Sequence, residues 1–484
     1  MKNSVKKNLL YQSFYEIIII ILPLLTSPYI SRVLGAENLG IFSYTYSVAY
    51  YFQLLGMLGI KFYGNRKIAQ VRDNQEKLNI TYSELLTIHV VMGILACLLY
   101  AIYIIFFAGK YRIYSAIQGL MVIATLFDVS WFFFGIENFK LNVTRNTIIK
   151  IISVACIFLF VREKGDLWKY IVIMATSQAT GECIMFFIVP QYAKYRLPKW
   201  TDLKKHVKPL LVLFIPVIST SLFKYMDKIM LGSIGNKVEL GLYDNAEKIL
   251  NIPLSVILAF GSVMLPKMSN LIANNNIQQC NNYMKISINY MLCIAIAMSA
   301  GMAGVSHVFA PVFWGSEFSK SADIIALLSI TLPFSTLANI VRNQDLIPNN
   351  KDKQYTYAIV SGACVNLLIN WLLIPRFQSY GVAVGTVVAE ITVCVVQFKF
   401  ARKAFDYKKY VLNALWFIIP GVVMYLVIAK IGDALGVHIY TLLIQICLGA
   451  VLYSVIALWH LIRIQDEEII SIIEKIRGYK NDKK

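Results

Sequence analysis

Along nearly the whole chain, stretches of about twenty apolar residues alternate with short polar connectors. Wound as an α-helix at ~1.5 Å per residue, a run of that length matches the ~30 Å oil layer of a bilayer. Fourteen such spans are predicted, near 9–34, 39–60, 84–107, 113–135, 146–161, 167–190, 209–232, 241–266, 286–306, 322–341, 355–375, 380–398, 411–429 and 438–462. The pattern predicts an all-α integral membrane protein.

Composition leads the same way. Apolar residues fill 58% of the 484 positions, charged residues 15%, and the mean hydropathy is +0.61, more apolar surface than a soluble core of this size can hide. A net charge of +19 raises the question of nucleic acid, but the charges sit in alternate connectors, which points to lipid instead. Of the 46 basic residues, 32 fall in connectors on the side of the N-terminus and nine on the other side. The positive-inside rule then places both termini in the cytoplasm, as in a polytopic inner-membrane protein. The first span starts like a signal peptide but runs too long and lacks a small-residue cleavage pattern before Arg32, so it is expected to remain as an uncleaved helix. Eight cysteines, mostly within spans and never as CxxC, indicate neither a zinc site nor a disulfide framework.

An internal repeat organises the spans. Ile21-Leu22-Pro23 leads through Arg32-Val33-Leu34-Gly35 to Leu39-Gly40-Ile41-Phe42-Ser43, and Phe214-Ile215-Pro216 leads through Ile229-Met230-Leu231-Gly232 to Leu240-Gly241-Leu242-Tyr243-Asp244. Glu182, in Ala179-Thr180-Gly181-Glu182-Cys183, corresponds in order to Glu390, in Val387-Val388-Ala389-Glu390-Ile391. Six helices per copy is an even number, so both copies enter the membrane in the same direction, related by an axis along its normal. The expected organisation is an N-terminal six-helix lobe over 1–200, a C-terminal six-helix lobe over 201–405, two additional transmembrane helices in 406–463 and a cytoplasmic tail over 464–484. Two parallel lobes around a central cavity are the architecture of an alternating-access transporter. Within the tail, 464–477 reads as an amphipathic helix.

Ionisable residues inside spans carry the candidate chemistry, because a charge at the bilayer centre costs at least ~2.5–3.5 kcal/mol unless it faces a partner or a wet cavity. They are Arg32, Lys150, Lys224, Lys228 and Lys248, with Glu16, Asp128, Glu182, Asp227, Glu247 and Glu390. Lys224, Asp227 and Lys228 share one face of a straight helix just past Pro216 and are expected to cluster. Arg32, Lys224, Lys228 and Lys248 suit a phosphate or pyrophosphate, since Arg offers a bidentate fork and Lys a mobile point charge. The alternative is internal salt bridges that tie helices together. Glu182 and Glu390 are candidates for a coupling H+ or Na+, or are capped structural carboxylates. Asn366 and Asn370, one turn apart, are candidates for sugar hydroxyls or for helix bridging.

The run Arg32-Val33-Leu34-Gly35-Ala36-Glu37-Asn38-Leu39-Gly40-Ile41-Phe42-Ser43-Tyr44, with Asp227-Lys228-Ile229-Met230-Leu231-Gly232 and Gly241-Leu242-Tyr243-Asp244-Asn245-Ala246, resembles the Wzx-type polysaccharide flippases of the multidrug/oligosaccharidyl-lipid/polysaccharide exporter superfamily. The resemblance spans about residues 5–405, with two further helices beyond. It implies translocation of undecaprenyl-diphosphate-linked oligosaccharide repeat units to the outer leaflet for a surface polysaccharide. Arg32 and Lys224 would hold the pyrophosphate while the polyprenyl tail stays in lipid. A polysaccharide polymerase or glycosyltransferases of the same pathway are the implied partners.

Two other classes compete. A cation-coupled drug or small-molecule antiporter of the same superfamily would favour an acidic, aromatic cavity, and Glu16, Asp128 and Glu182 keep it open. A membrane polymerase or glycosyltransferase is disfavoured: there is no DxD-like pair for a nucleotide-sugar metal, no HExxH, no GxSxG, and the connectors are short. No GxxxxGK[ST] loop is present either, so neither an enzyme nor an ATP-driven pump is expected, and no cofactor or metal.

Overall fold

The computed structural model describes residues 2–402, 405–463 and 470, leaving out the side chains of 2–21, 139 and 223. The side chain of Glu16, and the amphipathic helix expected over 464–477 except Ile470, lie outside the described residues. Every regular element among the described residues is helical. The first half of the chain forms α1 (Lys2–Met57), α2 (Ile60–Val71), α3 (Gln75–Phe106), α4 (Arg112–Ala124), α5 (Ser130–Gly135), α6 (Phe139–Phe160), α7 (Leu167–Ile188), α8 (Trp200–Ser221) and α9 (Asp227–Ile234). The rest forms α10 (Lys237–Ala273), α11 (Ile277–Trp314), α12 (Ser321–Ser329), α13 (Thr331–Val341), α14 (Asp352–Phe400), α15 (Tyr407–Ala414), α16 (Ile418–Leu435) and α17 (Ile439–Arg463).

Against the fourteen spans predicted, ten helices among the described residues are long and apolar enough to cross a membrane, or eleven if the bent pair Trp200–Ser221 and Lys224–Ile234 is one span. Two elements hold more than one predicted span. In an unbroken α14, Leu373 and Gly381 would stand ~12 Å apart. Instead a Cβ on Gly381 would lie 2.8 Å from the Leu373 carbonyl carbon, so the chain doubles back at Gln378 (φ 49, ψ −124). In α1 the helical path breaks at Gly35 (φ 77, ψ 172), a conformation open to a residue without Cβ. Both breaks fall in gaps between predicted spans. Side chains such as Leu98, Phe106, Val451 and Val455 stand exposed on the flanks, as a lipid-facing surface requires.

The helices pack as two units, residues 1–244 with 370–382 and residues 245–369 with 383–484. Packing units group residues that touch, whereas a repeat groups residues that correspond, so the two six-helix lobes are a separate proposition. In the first unit the buried aromatic run Trp131, Phe132 and Phe133 of α5 packs with Tyr82 and Leu85 of α3 and Ile68 of α2. In the second, α16 and α17 lie against α11. There the Gln445 amide donates to the Ile428 carbonyl at 2.7 Å and the Tyr453 hydroxyl to the Cys293 carbonyl at 2.6 Å. Lipid supplies no hydrophobic drive between helices, so such polar ties and close packing carry the association.

One contact of the first unit unites the two copies of the repeated motif. Beyond Gly35, α1 crosses the start of α10 backbone to backbone: Gly40 lies against the Lys237 carbonyl and Gly241 against the Ala36 carbonyl. At either glycine a Cβ would overlap the opposing oxygen. Gly40 and Gly241 are repeat mates, and each meets the residue one helical turn before the other. Their mates further on, Ser43 and Asp244, are joined by a bond from Ser43 Oγ to Asp244 Oδ1 at 3.0 Å. Small residues at a crossing admit this approach and its Cα–H···O contacts.

Candidate functional site

Pro209 and Pro216 each withhold a backbone donor within α8, and the helix then widens into a π turn, Leu222–Met226. The axis bends by 48° between Trp200–Ser221 and Lys224–Ile234. This turn carries Lys224 and Tyr225 and leads into Asp227 and Lys228.

On a regular helix Lys224, Asp227 and Lys228 would form one cluster; the π turn adds a residue to the circuit and the neighbouring helices take the groups separately. Asp227, 2% exposed, accepts from Asn370 Nδ2 at 2.6 Å and from the Tyr243 hydroxyl at 3.3 Å. Lys228 donates to Asp244 Oδ1 at 2.6 Å, the oxygen that Ser43 also approaches. Lys224 stands exposed, as does Arg32 just before the Gly35 break. The Tyr225 ring stacks on Tyr50 with centroids 3.9 Å apart and meets Tyr46 at 6.2 Å. The ammonium groups of Lys224 and Lys228 each lie 5.9 Å from the Tyr225 centroid. The first unit thus presents an aromatic patch beside two lysines, one paired with a carboxylate and one exposed. Such a surface offers a flat face for a sugar ring and a point charge for a phosphate.

The other candidates are distributed between the units. In the first, Glu182 of α7 lies 3.7 Å from the guanidinium of Arg145, which also donates to the Gly181 carbonyl and, at 2.6 Å, to Asn146 Oδ1. In the second, Glu390 accepts from Ser335 Oγ at 2.8 Å, Lys248 is exposed and donates to Asn245 Oδ1 at 3.3 Å, and Asn366 is 1% exposed. Asn366 and Asn370, one turn apart in α14, therefore belong to different packing units. No group of three or more His, Cys, Asp or Glu able to hold a metal occurs among the described residues.

Two charged partners escaped the sequence reading. Asp244 lies inside the predicted span 241–266, and counting it among the intramembrane charges would have offered Lys228 a counter-ion. Arg145, counted as a connector charge one residue before a predicted span, is 8% exposed and faces Glu182. The π turn left no such signal, because a local widening of the helix has no residue pattern of its own.

Apolar helices of membrane-spanning length with charges tied inside them make this a multi-pass membrane protein. Its fold is shared with solved membrane proteins. It is similar to the solved structure of lipid II flippase MurJ in an inward closed conformation, with a TM-score of 0.75 at 16% identity, covering 94% of this chain and 99% of that one. It is also similar to an inward-facing multidrug resistance MATE family transporter of the MOP superfamily, with a TM-score of 0.54 at 11% identity, covering 79% of this chain and 97% of that one. The chain belongs to the polysaccharide biosynthesis protein family, whose profile matches residues 5–272, and to the lipid II flippase MurJ family, whose profile matches residues 151–446. Among its relatives are two proteins named "Putative O-antigen transporter". The one from Shigella dysenteriae is 20% identical over 397 residues, 81% of this chain and 99% of that protein. The one from Escherichia coli (strain K12) is 22% identical over 408 residues, 83% of this chain and 97% of that protein.

Proposed function

We propose that this protein is a flippase for lipid-linked oligosaccharides, carrying undecaprenyl-diphosphate-linked repeat units across the cytoplasmic membrane for surface polysaccharide synthesis. The observation that carries the reading is membership of the two families over most of the chain's length. The exposed Lys224 on a π turn beside Tyr46, Tyr50 and Tyr225 supplies matching chemistry. In this reading Arg32 and Lys224 are the principal pyrophosphate-binding residues and Lys248 assists, while the carboxylate of Asp244 reduces the share of Lys228. Two six-helix lobes related by the repeat alternate in access to each face, both termini are cytoplasmic, and the polyprenyl tail remains in lipid.

Charge favours outward movement. One elementary charge crossing the full field is worth ~2.3 kcal/mol per 100 mV, so an inside-negative membrane drives an anionic headgroup outward without ATP. Glu182 beside Arg145 and Glu390 beside Ser335 are the groups proposed to exchange a coupling H+ or Na+. A polymerase or glycosyltransferases of the same pathway are the proposed protein partners, and the chain itself performs no covalent chemistry.

Reconstitution with a fluorescent lipid-diphosphate oligosaccharide, read as leaflet exchange, tests the reading. Losing a charge-assisted contact to phosphate costs about 1.5–3 kcal/mol, so Arg32→Ala and Lys224→Ala are each expected to weaken headgroup binding roughly tenfold or more and slow exchange accordingly. Unchanged rates in both variants would reject the assigned residues. Cation-coupled drug export without lipid movement would replace the flippase with the antiporter.

A further inference from the structure

The connector from α7 to α8 is clamped rather than loose. Residues 193–199 carry no regular structure, yet α3 meets the segment with four polar side chains at one-turn intervals. Gln75 Nε2 donates to the Tyr192 carbonyl at 2.8 Å. Asn79 Oδ1 accepts from the Lys194 N–H at 2.8 Å and Ser83 Oγ from the Arg196 N–H at 2.9 Å. Thr87 Oγ1 and the Tyr195 hydroxyl lie 3.0 Å apart. Because i and i+4 share a helix face, these four residues form a straight ladder that holds the segment's backbone along α3. The backbone at Lys194 and Arg196 is thereby held in place, and both side chains are exposed.

Beside the ladder lies a groove of about 580 Å³, within the size range of small-molecule sites. Leu86, Val90 and Val91 of α3 and Phe186 and Pro190 from the α7 end form its apolar walls, and Lys194 and Tyr195 its rim. Past the groove α3 continues with exposed Ile94, Leu95 and Leu98, a surface suited to lipid chains. Past the rim the chain is basic, with Lys199, Lys204, Lys205 and Lys208 against Asp202. An apolar slot on a helix of membrane-spanning length, rimmed by exposed cations, complements an amphiphile with a negatively charged head.

We propose that this groove binds an anionic phospholipid, one acyl chain lying along Val90 and Phe186 and the phosphate meeting Lys194 and Arg196. The site is separate from the Lys224 surface and does not depend on which cargo the protein moves. Phosphatidylglycerol is the probe and phosphatidylcholine the neutral comparison, offered to the full-length protein and read as bound lipid by native mass spectrometry. Wild type is expected to retain phosphatidylglycerol preferentially. With a gain of roughly fivefold per cation near the surface, Lys194→Gln/Arg196→Gln should lower that preference roughly twentyfold or more. Lys204→Gln/Lys208→Gln, away from the groove, should change it by a factor of about three or less, and Val91→Trp should displace both lipids by filling the slot. Equal losses in the two lysine-bearing pairs would show diffuse surface charge and overturn the proposal. So would unchanged binding in Val91→Trp, or a preference for polyprenyl phosphate over phosphatidylglycerol in competition. A photoactivatable phosphatidylglycerol on wild-type protein gives a readout independent of variant folding: labels are expected within residues 82–91 and 186–196, and labelling confined elsewhere overturns the site.

Discussion

Gly241→Ala tests the backbone crossing that joins the two motif copies. Its Cβ would overlap the Ala36 carbonyl oxygen and come 3.1 Å from the Gly40 amide nitrogen. The obstructing atoms are all main chain of α1 and have no rotamer to escape into, so α1 and α10 must part. Overpacking of this kind costs about 1–3 kcal/mol, and losing close Cα–H···O contacts adds about 0.5–1 kcal/mol each. The better helix propensity of alanine returns about 1 kcal/mol. A net destabilisation of about 1–3 kcal/mol is therefore expected, accompanied by stretching of the Ser43–Asp244 bond. Gly40→Ala meets the Lys237 carbonyl in the same way and should cost a similar amount. The double variant distinguishes this reasoning from a general dislike of alanine. One separation of the helices relieves both clashes, so its cost should fall short of the two single costs added together by about 1 kcal/mol. Reversible unfolding in mixed detergent micelles measures all three. Single variants within about 0.5 kcal/mol of wild type, or strict additivity in the double, would refute the crossing.

Glu84, 3% exposed in α3, accepts from Lys205 Nζ at 2.7 Å and lies 2.8 Å from His206 Nε2, while His206 Nδ1 lies 2.8 Å from the Tyr63 hydroxyl. A carboxylate only accepts, so Nε2 carries the proton and Nδ1 accepts from Tyr63. Glu84→Ala strands that buried ring and is expected to cost about 2–3 kcal/mol in the same unfolding measurement, with Glu84→Gln costing clearly less; equal costs would show that only shape matters there. In the connector between α6 and α7, Asp166 is held below the usual carboxylate range by its bond to Lys169, 2.5 Å away, and by the N–H groups of Arg162 and Glu163. A depressed pKa stabilises the fold above the unfolded value of ~3.9 and loses that stabilisation as pH falls through the folded value. The melting-temperature gap between wild type and Asp166→Asn should hold steady above about pH 5 and close on acidification, and a gap that widens would contradict the pairing.

Hydropathy alone exposed the membrane-spanning class, because a bilayer tolerates little else for twenty residues, while the structure gives ten or eleven candidate spans among the described residues against the fourteen expected. The breaks at Gly35 and Gln378 fall where polar or small residues interrupt that pattern. The likeness of Leu39-Gly40-Ile41-Phe42 to Leu240-Gly241-Leu242-Tyr243 is visible in the sequence, and the structure brings these two stretches into contact. Side-chain partnerships were less visible there. Straight-helix spacing grouped Lys224, Asp227 and Lys228, whereas Asp227 meets Asn370 and Tyr243 and Lys228 meets Asp244. A π turn rotates everything after it, and a partner more than a hundred residues away leaves no trace in local spacing. Arg145 follows the same logic: a cation at a span boundary reads as a connector charge until a facing carboxylate, here Glu182, is known.

What the sequence determined by itself is the membrane as solvent, the helical class and the short motifs that recur in the same order along the chain. Each follows from a requirement that acts on short stretches, above all that backbone polar groups in oil be satisfied within their own helix. Only the tertiary structure decided that Gly40 and Gly241 meet each other, that Asp244 takes Lys228, and that a ladder on α3 fixes a basic segment beside an apolar groove. These are matters of approach between distant stretches, set by which small residues let helices close and which polar groups must then find partners.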